Sequence, residues 1–334
     1  MSSDSSSQAI WLTWERQRRN RTMAVAVGAA LHELHAEGSR LTRYWALTRR
    51  TVALIRNSNA DVIYFQNPSI VLAVVVLGMK ALGFTRAVVI GDFHNAGVFP
   101  PVGAILVPWL VRRCDLVIVS NFKLQARVAA LGGRSIAVPD PLPTLQESGD
   151  REKMAQGPFR VLVICSWAND EPILNVLEAA EILQAEAPDV VLAISGRAGL
   201  ARVGWTKPVP ENVELTGFMT DEEFERRLMR SDVIMDLTTR ADCMVCGAYE
   251  AVSAEVPLIA SENEPTVRYF SKGAVFTNNT SRDIARAVVE VLTRRADLER
   301  EVKELKAEIL HRERAVLQDV RDAARLLSGR TARG

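Results

Sequence analysis

Cysteine is scarce in this chain. Four in 334 residues (Cys114, Cys165, Cys243, Cys246) are too few and too scattered for a disulfide framework. Cys243 and Cys246 form one C-x-x-C, but no second pair or histidine cluster stands nearby to complete a zinc site, so no metal is expected. Long apolar runs are missing too. The longest, Ile70–Met79 and Met23–Leu31, fall well short of the roughly 20 residues that cross a bilayer. Met1–Gln8 is Ser-rich and uncharged apart from Asp4, which reads as a frayed terminus and not as a secretory leader. These absences point to a soluble, cytoplasmic protein that at most touches a membrane from one side.

Net charge is also nearly absent, at +1, but the balance is uneven along the chain. Residues 1–145 hold 16 Lys and Arg against 8 Asp and Glu, whereas residues 146–334 hold 25 against 32. A basic half joined to an acidic half suggests that the first meets something anionic: phosphorylated lipid, a membrane surface or nucleic acid. A chance imbalance of solvated faces is the plain alternative. No nucleic-acid reading motif is present, so nucleic acid is not expected as a partner.

What the chain does have is length for two cores, with 48% apolar and 24% charged residues. Short apolar runs alternate with helical stretches, the pattern of βα units around parallel sheets. In the first half, strands are predicted at Ile10–Thr13, Asp61–Gln66, Ala87–Gly91, Asp115–Val119 and Ser135–Val138. Helices are predicted near Arg18–Ala36, Thr42–Arg56, Pro68–Leu82, Val102–Arg113 and Phe122–Leu131, with Asn67 as cap of the helix opened by Pro68. Three prolines in Pro139–Pro143 break the rhythm, and the linker extends through Thr144–Pro158. Strands then recur at Phe159–Cys165, Val190–Ser195, Val213–Thr216, Val233–Leu237, Leu258–Ala260 and Ala274–Phe276. From Ser281 to about Leu327 the sequence is helical and heavily charged. The expected organisation is a frayed terminus (1–8), a first doubly wound α/β domain (9–143), a linker (144–158), a second such domain (159–295) and a helical tail (296–334). Ligands are expected beyond the carboxyl ends of the strands, between the two domains.

Between two predicted strands stand Asp242 and Glu250, with Gly247–Ala254 reading as a short helix. A helix start presents free N–H groups and a positive dipole end, which suits a diphosphate. Asp242 is then placed for sugar hydroxyls and Glu250 for a ribose; the alternatives are a turn-forming aspartate and a solvated helix carboxylate. This element resembles the E-x7-E region of GT-B glycosyltransferases of group 1. In that family it is followed by a small-residue helix and Gly-x-Pro-Val-Ile, where this chain has Glu255-Val-Pro257-Leu-Ile. Val213–Phe218 and Ser231–Met235 are similar to that family's base-side turn and next strand. Gln66-Asn-Pro68-Ser, Gly91-Asp-Phe-His94-Asn95, Asp140–Pro143 and Cys165-Ser-Trp167-Ala-Asn-Asp170-Glu171 resemble, in order, motifs of the β-mannosyltransferases that act on chitobiosyl-diphosphodolichol. The chain departs from the pattern at Asp242, one methylene shorter than the usual Glu. It departs again at Val245, where a glycine lets backbone approach phosphate, and at Glu255, where a left-handed residue other than glycine costs about 1 kcal/mol.

The resemblance implies an α/β GT-B fold, with two Rossmann-like domains facing across a cleft and a charged C-terminal helix. It implies a metal-independent hexosyltransferase with no cofactor beyond a UDP- or GDP-linked sugar as donor. The acceptor would be a glycan or a polyprenyl-diphosphate-linked chain, and the pathway cell-surface polysaccharide or glycoconjugate assembly. Retention follows from the E-x7-E likeness and inversion from the β-mannosyltransferase likeness. Ser166, Trp167, Arg197, Phe218, Asp242 and Glu250 are the candidate donor ligands. Asp92 and His94 are candidates for base and sugar contact. Arg16, Arg18, Arg19 and Arg21 are candidates for the acceptor diphosphate, with Trp11 and Trp14 suited to a membrane interface and peripheral contact. Two other readings share this shell: a non-catalytic scaffold subunit, favoured by Val245 and Glu255, and a nucleotide-sugar 2-epimerase.

Overall fold

A computed structural model of the protein describes residues 8–67, 70–93, 95–98, 103–145 and 157–331. His94, Pro68 and most of the expected linker and frayed terminus lie outside the described residues. The chain divides into two compact units, residues 1–141 with 312–334, and residues 142–311.

In the first unit the strands are β1 (Ala9–Thr13), β2 (Ala30–Glu33), β3 (Val62–Asn67), β4 (Val88–Phe93), β5 (Leu116–Val119) and β6 (Ser135–Ala137). They form a parallel sheet in the order β2-β1-β3-β4-β5-β6. Helices α1 (Arg18–Val27), α2 (Arg40–Asn57), α3 (Ile70–Ala81), α4 (Asn95–Val98), α5 (Val107–Arg113) and α6 (Phe122–Ala130) connect them. Residues of β3 and β4 are buried on both faces, which is why these strands read as continuous apolar runs in place of alternation. One core lies under α2, α3, α5 and α6. A second, on the opposite face, gathers Trp11, Met23 and Tyr64. The strand order reverses direction between β1 and β3, so the crevice for a ligand lies at Thr13, Gln66 and Asn67.

The second unit repeats the plan. Strands β7 (Phe159–Val163), β8 (Val190–Ser195), β9 (Val213–Gly217), β10 (Val233–Asp236), β11 (Leu258–Ser261) and β12 (Ala274–Thr277) lie parallel in the order β12-β11-β10-β7-β8-β9. Helices α7 (Ile173–Glu186), α8 (Asp221–Arg230), α9 (Cys246–Ala254) and α10 (Glu264–Tyr269) cover its faces. The order reverses between β7 and β10. Helix α11 runs uninterrupted from Ser281 to Thr331. The tail expected from residue 296 is therefore not a separate piece. Val302, Leu305 and Ile309 sit in a core of the second unit, and Leu317, Val320 and Ala324 in a core of the first.

One element differs in kind from expectation. The helix predicted over Arg18–Ala36 stops at Val27, and Ala30–Glu33 is an edge strand paired with β1. Gly28 adopts φ 69°, its N–H meets the Val25 carbonyl at 3.1 Å, and the Ala29 N–H meets that of Ala24 at 2.8 Å. This is the paired closure of a glycine-terminated helix. The apolar run continuing past Gly28 hid the stop. At Asn67, expected as a helix cap, the side chain is fully buried and bonds to no described residue, while Pro68 and Ser69 lie outside the described residues.

Candidate functional site

At the reversal point of the second sheet, β7 runs out into Cys165-Ser166-Trp167. Ser195, at the end of β8, receives the Cys165 N–H on its hydroxyl at 2.9 Å and donates that hydroxyl to the Cys165 carbonyl at 3.2 Å. Gly196 follows at φ 83°, and a Cβ there would stand 2.3 Å from the Cys165 carbonyl oxygen, so the residue must be glycine. Trp167 takes a left-handed φ of 62° and turns its ring inward, where Nε1 donates to the Ser195 carbonyl at 2.9 Å. The ring is 1% exposed and belongs to the core. Trp167, expected with Ser166 among the donor ligands, thus anchors that loop from beneath with a ring that is not itself exposed.

The loop's polar groups converge on Glu171. Its carboxylate accepts from the N–H groups of Ser166 at 3.1 Å and Ala168 at 2.8 Å, and from the Ser166 hydroxyl at 2.8 Å. The Cys165 thiol donates to it at 3.2 Å, and burial together with this carboxylate pushes that thiol far above its usual range. Cys165 is therefore held as an unreactive thiol.

Beside this loop a cavity of 510 Å³ opens at the carboxyl ends of β7, β8 and β9. It brings together three of the expected donor residues, Ser166, Arg197 and Phe218, with Asp221 and Phe224 from α8. Phe218 is 82% exposed, a flat apolar face offered to solvent beside polar groups. A larger cavity of 820 Å³ is lined by Pro188, Lys207 and Asn212, which precede β8 and β9. It therefore lies at the amino ends of those strands, opposite to where parallel sheets take ligands.

The β10 side carries buried charge. Asp236, at the end of β10, accepts the Gly247 N–H at 2.8 Å at the start of α9. A Cβ on Gly247 would come 2.5 Å from that carboxyl oxygen and 2.7 Å from Ile164 Cδ1. The glycine that this helix start requires is thus Gly247, whereas Val245 holds an ordinary extended conformation two residues earlier. Burial pushes the Asp236 carboxyl up to about 8, opposed by the Gly247 N–H and reinforced by Glu250, Glu171 and Asp170. At neutral pH it is therefore largely a neutral acid. Asp242 stands at φ 56° in the loop before α9, and Glu250 one turn inside the helix; both are half-buried. Glu255 does take the left-handed conformation, φ 56° and ψ 39°, and Lys306 bonds both its carboxylate at 2.9 Å and the Ser253 carbonyl at 2.8 Å.

Sequence reasoning missed Asp236, and it missed the connection between the two loops that flank the reversal. The Thr238 hydroxyl donates to Asp170 at 3.1 Å, the Thr239 N–H to the Asp170 carbonyl at 2.7 Å, and Arg240 pairs with Asp170 at 3.0 Å. Arg240 remains 59% exposed and brings a cation to the helix-start side of the site. Its position in a loop after an apolar strand was the available signal.

In the first unit the reversal point is filled by the protein itself. Thr13 and Asn20 both donate to the Gln66 side-chain oxygen, at 2.9 and 2.7 Å, and Trp11 donates to Asn20 at 3.0 Å. Trp11 and Trp14 are buried, so neither forms the membrane contact expected of them. Arg19 is buried as well. It forks onto both oxygens of Asp92 at 3.0 and 2.9 Å, donates to the Val138 carbonyl at 3.1 Å, and pairs with Asp140. Burial would push its pKa down, but the two carboxylates more than reverse that and hold it well above the ordinary arginine value. Arg19 is thus withdrawn from any acceptor phosphate, and Asp92, 1% exposed, is engaged as its partner where a general base was expected. Arg16 bonds His35 at 3.0 Å and Arg21 bonds Glu33 at 3.2 Å, both on the exposed side. The Arg18 side chain lies outside the described residues.

Two outcomes follow. Arg19→Met leaves Asp92 and Asp140 without their cation and should cost about 3–5 kcal/mol in urea unfolding, with Arg19→Lys restoring only part. For Asp236 the folded carboxyl holds its proton up to about 8 against an ordinary 3.8, so its contribution is complete in acid and is lost as pH rises towards the folded value. The midpoint of thermal unfolding should therefore fall for the wild type relative to Asp236→Asn between about pH 5 and about pH 8, whereas parallel curves would contradict the assignment.

Comparison with known proteins meets this geometry. Residues 150–307 match the family model "Glycosyl transferases group 1". Among curated proteins none matches the sequence. Solved structures share the fold: Anabaena Alr3699/HepE in complex with UDP aligns at TM-score 0.72 and 14% identity, over 94% of this chain and 98% of its own. Sucrose-phosphate synthase from Thermosynechococcus elongatus aligns at 0.70 and 14%, over 96% and 99%. A "putative UDP-N-acetylglucosamine 2-epimerase" from Listeria monocytogenes aligns at 0.62 and 9%, over 89% and 91%. The likeness to group 1 GT-B enzymes is thus met twice, by the group 1 glycosyl transferase match across residues 150–307 and by the GT-B fold across nearly the whole chain.

Proposed function

We propose that this protein is a glycosyltransferase that moves a sugar from a nucleotide-diphosphate sugar to a glycan or lipid-linked acceptor. The observation that carries the reading is the cavity at the carboxyl ends of β7, β8 and β9, which lies within the stretch matched to group 1 glycosyl transferases. Solved relatives of the fold hold UDP and UDP-glucose, which favours a uridine donor over a guanosine one. In this reading Phe218 stacks on the base and Glu250 takes the ribose. Ser166, Arg197 and Arg240 face the diphosphate, and Asp242 faces the sugar. Asp236 suits the arrangement because a neutral acid at the start of α9 does not repel the phosphates that the helix dipole attracts.

Catalysis then consists of positioning and of stabilising the charge that develops on the leaving nucleoside diphosphate. Transfer without a resident metal is part of the proposal. On the acceptor side the buried Arg19 gives way to the exposed Arg16 and Arg21, and His94 is retained as the candidate for sugar contact or base. A lipid-diphosphate acceptor at the inner face of a membrane, in polysaccharide assembly, fits the basic first half. The shared fold of the putative 2-epimerase favours a second reading, in which the donor sugar itself is remodelled.

The experiment is a thermal-shift panel of UDP, GDP and their sugars, followed by product analysis of any donor that binds. A ligand at a hundred times its dissociation constant stabilises by about 2.7 kcal/mol. Phe218→Ala should weaken binding about threefold to tenfold, and Glu250→Ala should abolish the shift. The transferase reading fails if no nucleotide binds, or if a bound donor is epimerised with no acceptor present.

A further inference from the structure

The sequence directs attention to Arg16–Arg21 as the basic cluster, but the structure moves the anion-seeking surface elsewhere. Between Gly38 and Cys114 the only acids are Asp61 and Asp92, against nine Lys and Arg. Asp92 is buried on Arg19, so the balance on the surface is more one-sided still. Most of this charge lies on α2. That helix buries Leu47, Thr51 and Ile55 against the sheet, and along its length it holds five arginines and no acid. Its outer side presents Leu41, 84% exposed, and Trp45, 63% exposed. The Arg49 guanidinium lies over the Trp45 ring at 4.7 Å, and Arg40 and Arg43 both lean on Tyr44, at 6.0 and 5.7 Å. Arg40, Arg43, Arg49 and Arg56 have no acidic partner among the described residues.

The apolar exposure does not end with α2. Helix α3 packs against both α2 and α5 and shares their core. Leu82 and Phe84 follow α3, with Arg56 over the Phe84 ring at 5.4 Å. Ile105, 89% exposed, and Trp109, beside Arg113, stand at the start of and within α5. One side of the first unit's sheet therefore carries large apolar side chains set among guanidinium groups.

We infer that the α2–α3–α5 face of the first unit docks on an anionic lipid surface, with Leu41, Trp45 and Ile105 entering the interface and the arginines pairing with phosphate headgroups. Uncompensated arginines supply the attraction to negative lipid. Protruding Trp and aliphatic side chains are suited to the boundary between headgroups and acyl chains. A nucleic-acid backbone would answer the arginines but leave Leu41 and Ile105 without a partner, which favours lipid. The inference deepens the membrane-facing part of the proposed function and does not depend on sugar transfer.

Flotation of the full-length protein with vesicles tests it, using phosphatidylcholine alone and phosphatidylcholine mixed with phosphatidylglycerol, at low and high salt. The wild type should float with the anionic vesicles and less so as salt rises. Arg43→Glu with Arg49→Glu, and separately Leu41→Ser with Trp45→Ser, should each reduce partition about tenfold or more at unchanged melting midpoint. The charge-matched control Arg226→Glu with Arg325→Glu should keep it. The inference is overturned if the protein ignores anionic vesicles, if either α2 variant binds undiminished, if the control loses as much, or if only a nucleic-acid oligomer binds. UDP binding measured on the same variants separates the two accounts: loss of vesicle binding with UDP binding intact removes a surface and leaves the donor site standing.

Discussion

A charge withdrawn from water must find its partner on the spot or be neutralised through its proton, and this protein does both at the carboxyl ends of its sheets. In the first unit the Arg19 guanidinium is met by Asp92 and Asp140. In the second, no cation among the described residues offsets the burial of Asp236, which keeps its proton on instead. The consequences differ. The first arrangement fixes α1 to the ends of β4 and of the segment after β6, and it uses up groups that chemistry would otherwise draw on. The second leaves a neutral acid at the start of a helix, where Asp236 itself adds no negative charge to set against the positive dipole.

Glu171 plays a related part. By accepting the N–H groups of Ser166 and Ala168 it shapes the loop after β7 from within, while the Trp167 ring anchors it from below. Asp170 then holds the loop after β10 to the same place. The two sides of the reversal point in the second sheet are in this way built as one polar network, with Arg240, Arg197 and Phe218 presented outward from it.

Much of this was legible in the sequence. Parallel strands buried on both faces leave plain apolar runs, so the alternating αβ order and the strand ends that border the second-unit cavity could be read directly. Ser166, Arg197 and Phe218 come together at one cavity because each follows such a strand. What local pattern does not carry is pairing across the fold. Arg19 and Asp92 are 73 residues apart, and nothing near either one reveals that each satisfies the other. Trp11 and Trp14 read as interfacial because their neighbours are arginines, but β1 is an inner strand buried on both faces, with Trp11 in one core and Trp14, just past its end, in the other. Trp45 and Leu41 carry the exposure instead, since the faces of α2 are decided by what the sheet covers. Gly28 was a legible stop that an unbroken apolar run outweighed.

The account's central claim is that the second unit holds a nucleoside diphosphate at the ends of β7 to β10. Hydrogen–deuterium exchange with and without saturating UDP tests this directly. The account predicts slowed exchange in the loops after β7, β8 and β9 and at the start of α9, with the first unit's basic face unchanged. Slowed exchange around Pro188, Lys207 and Asn212 in place of those loops, or no slowing anywhere, would contradict it.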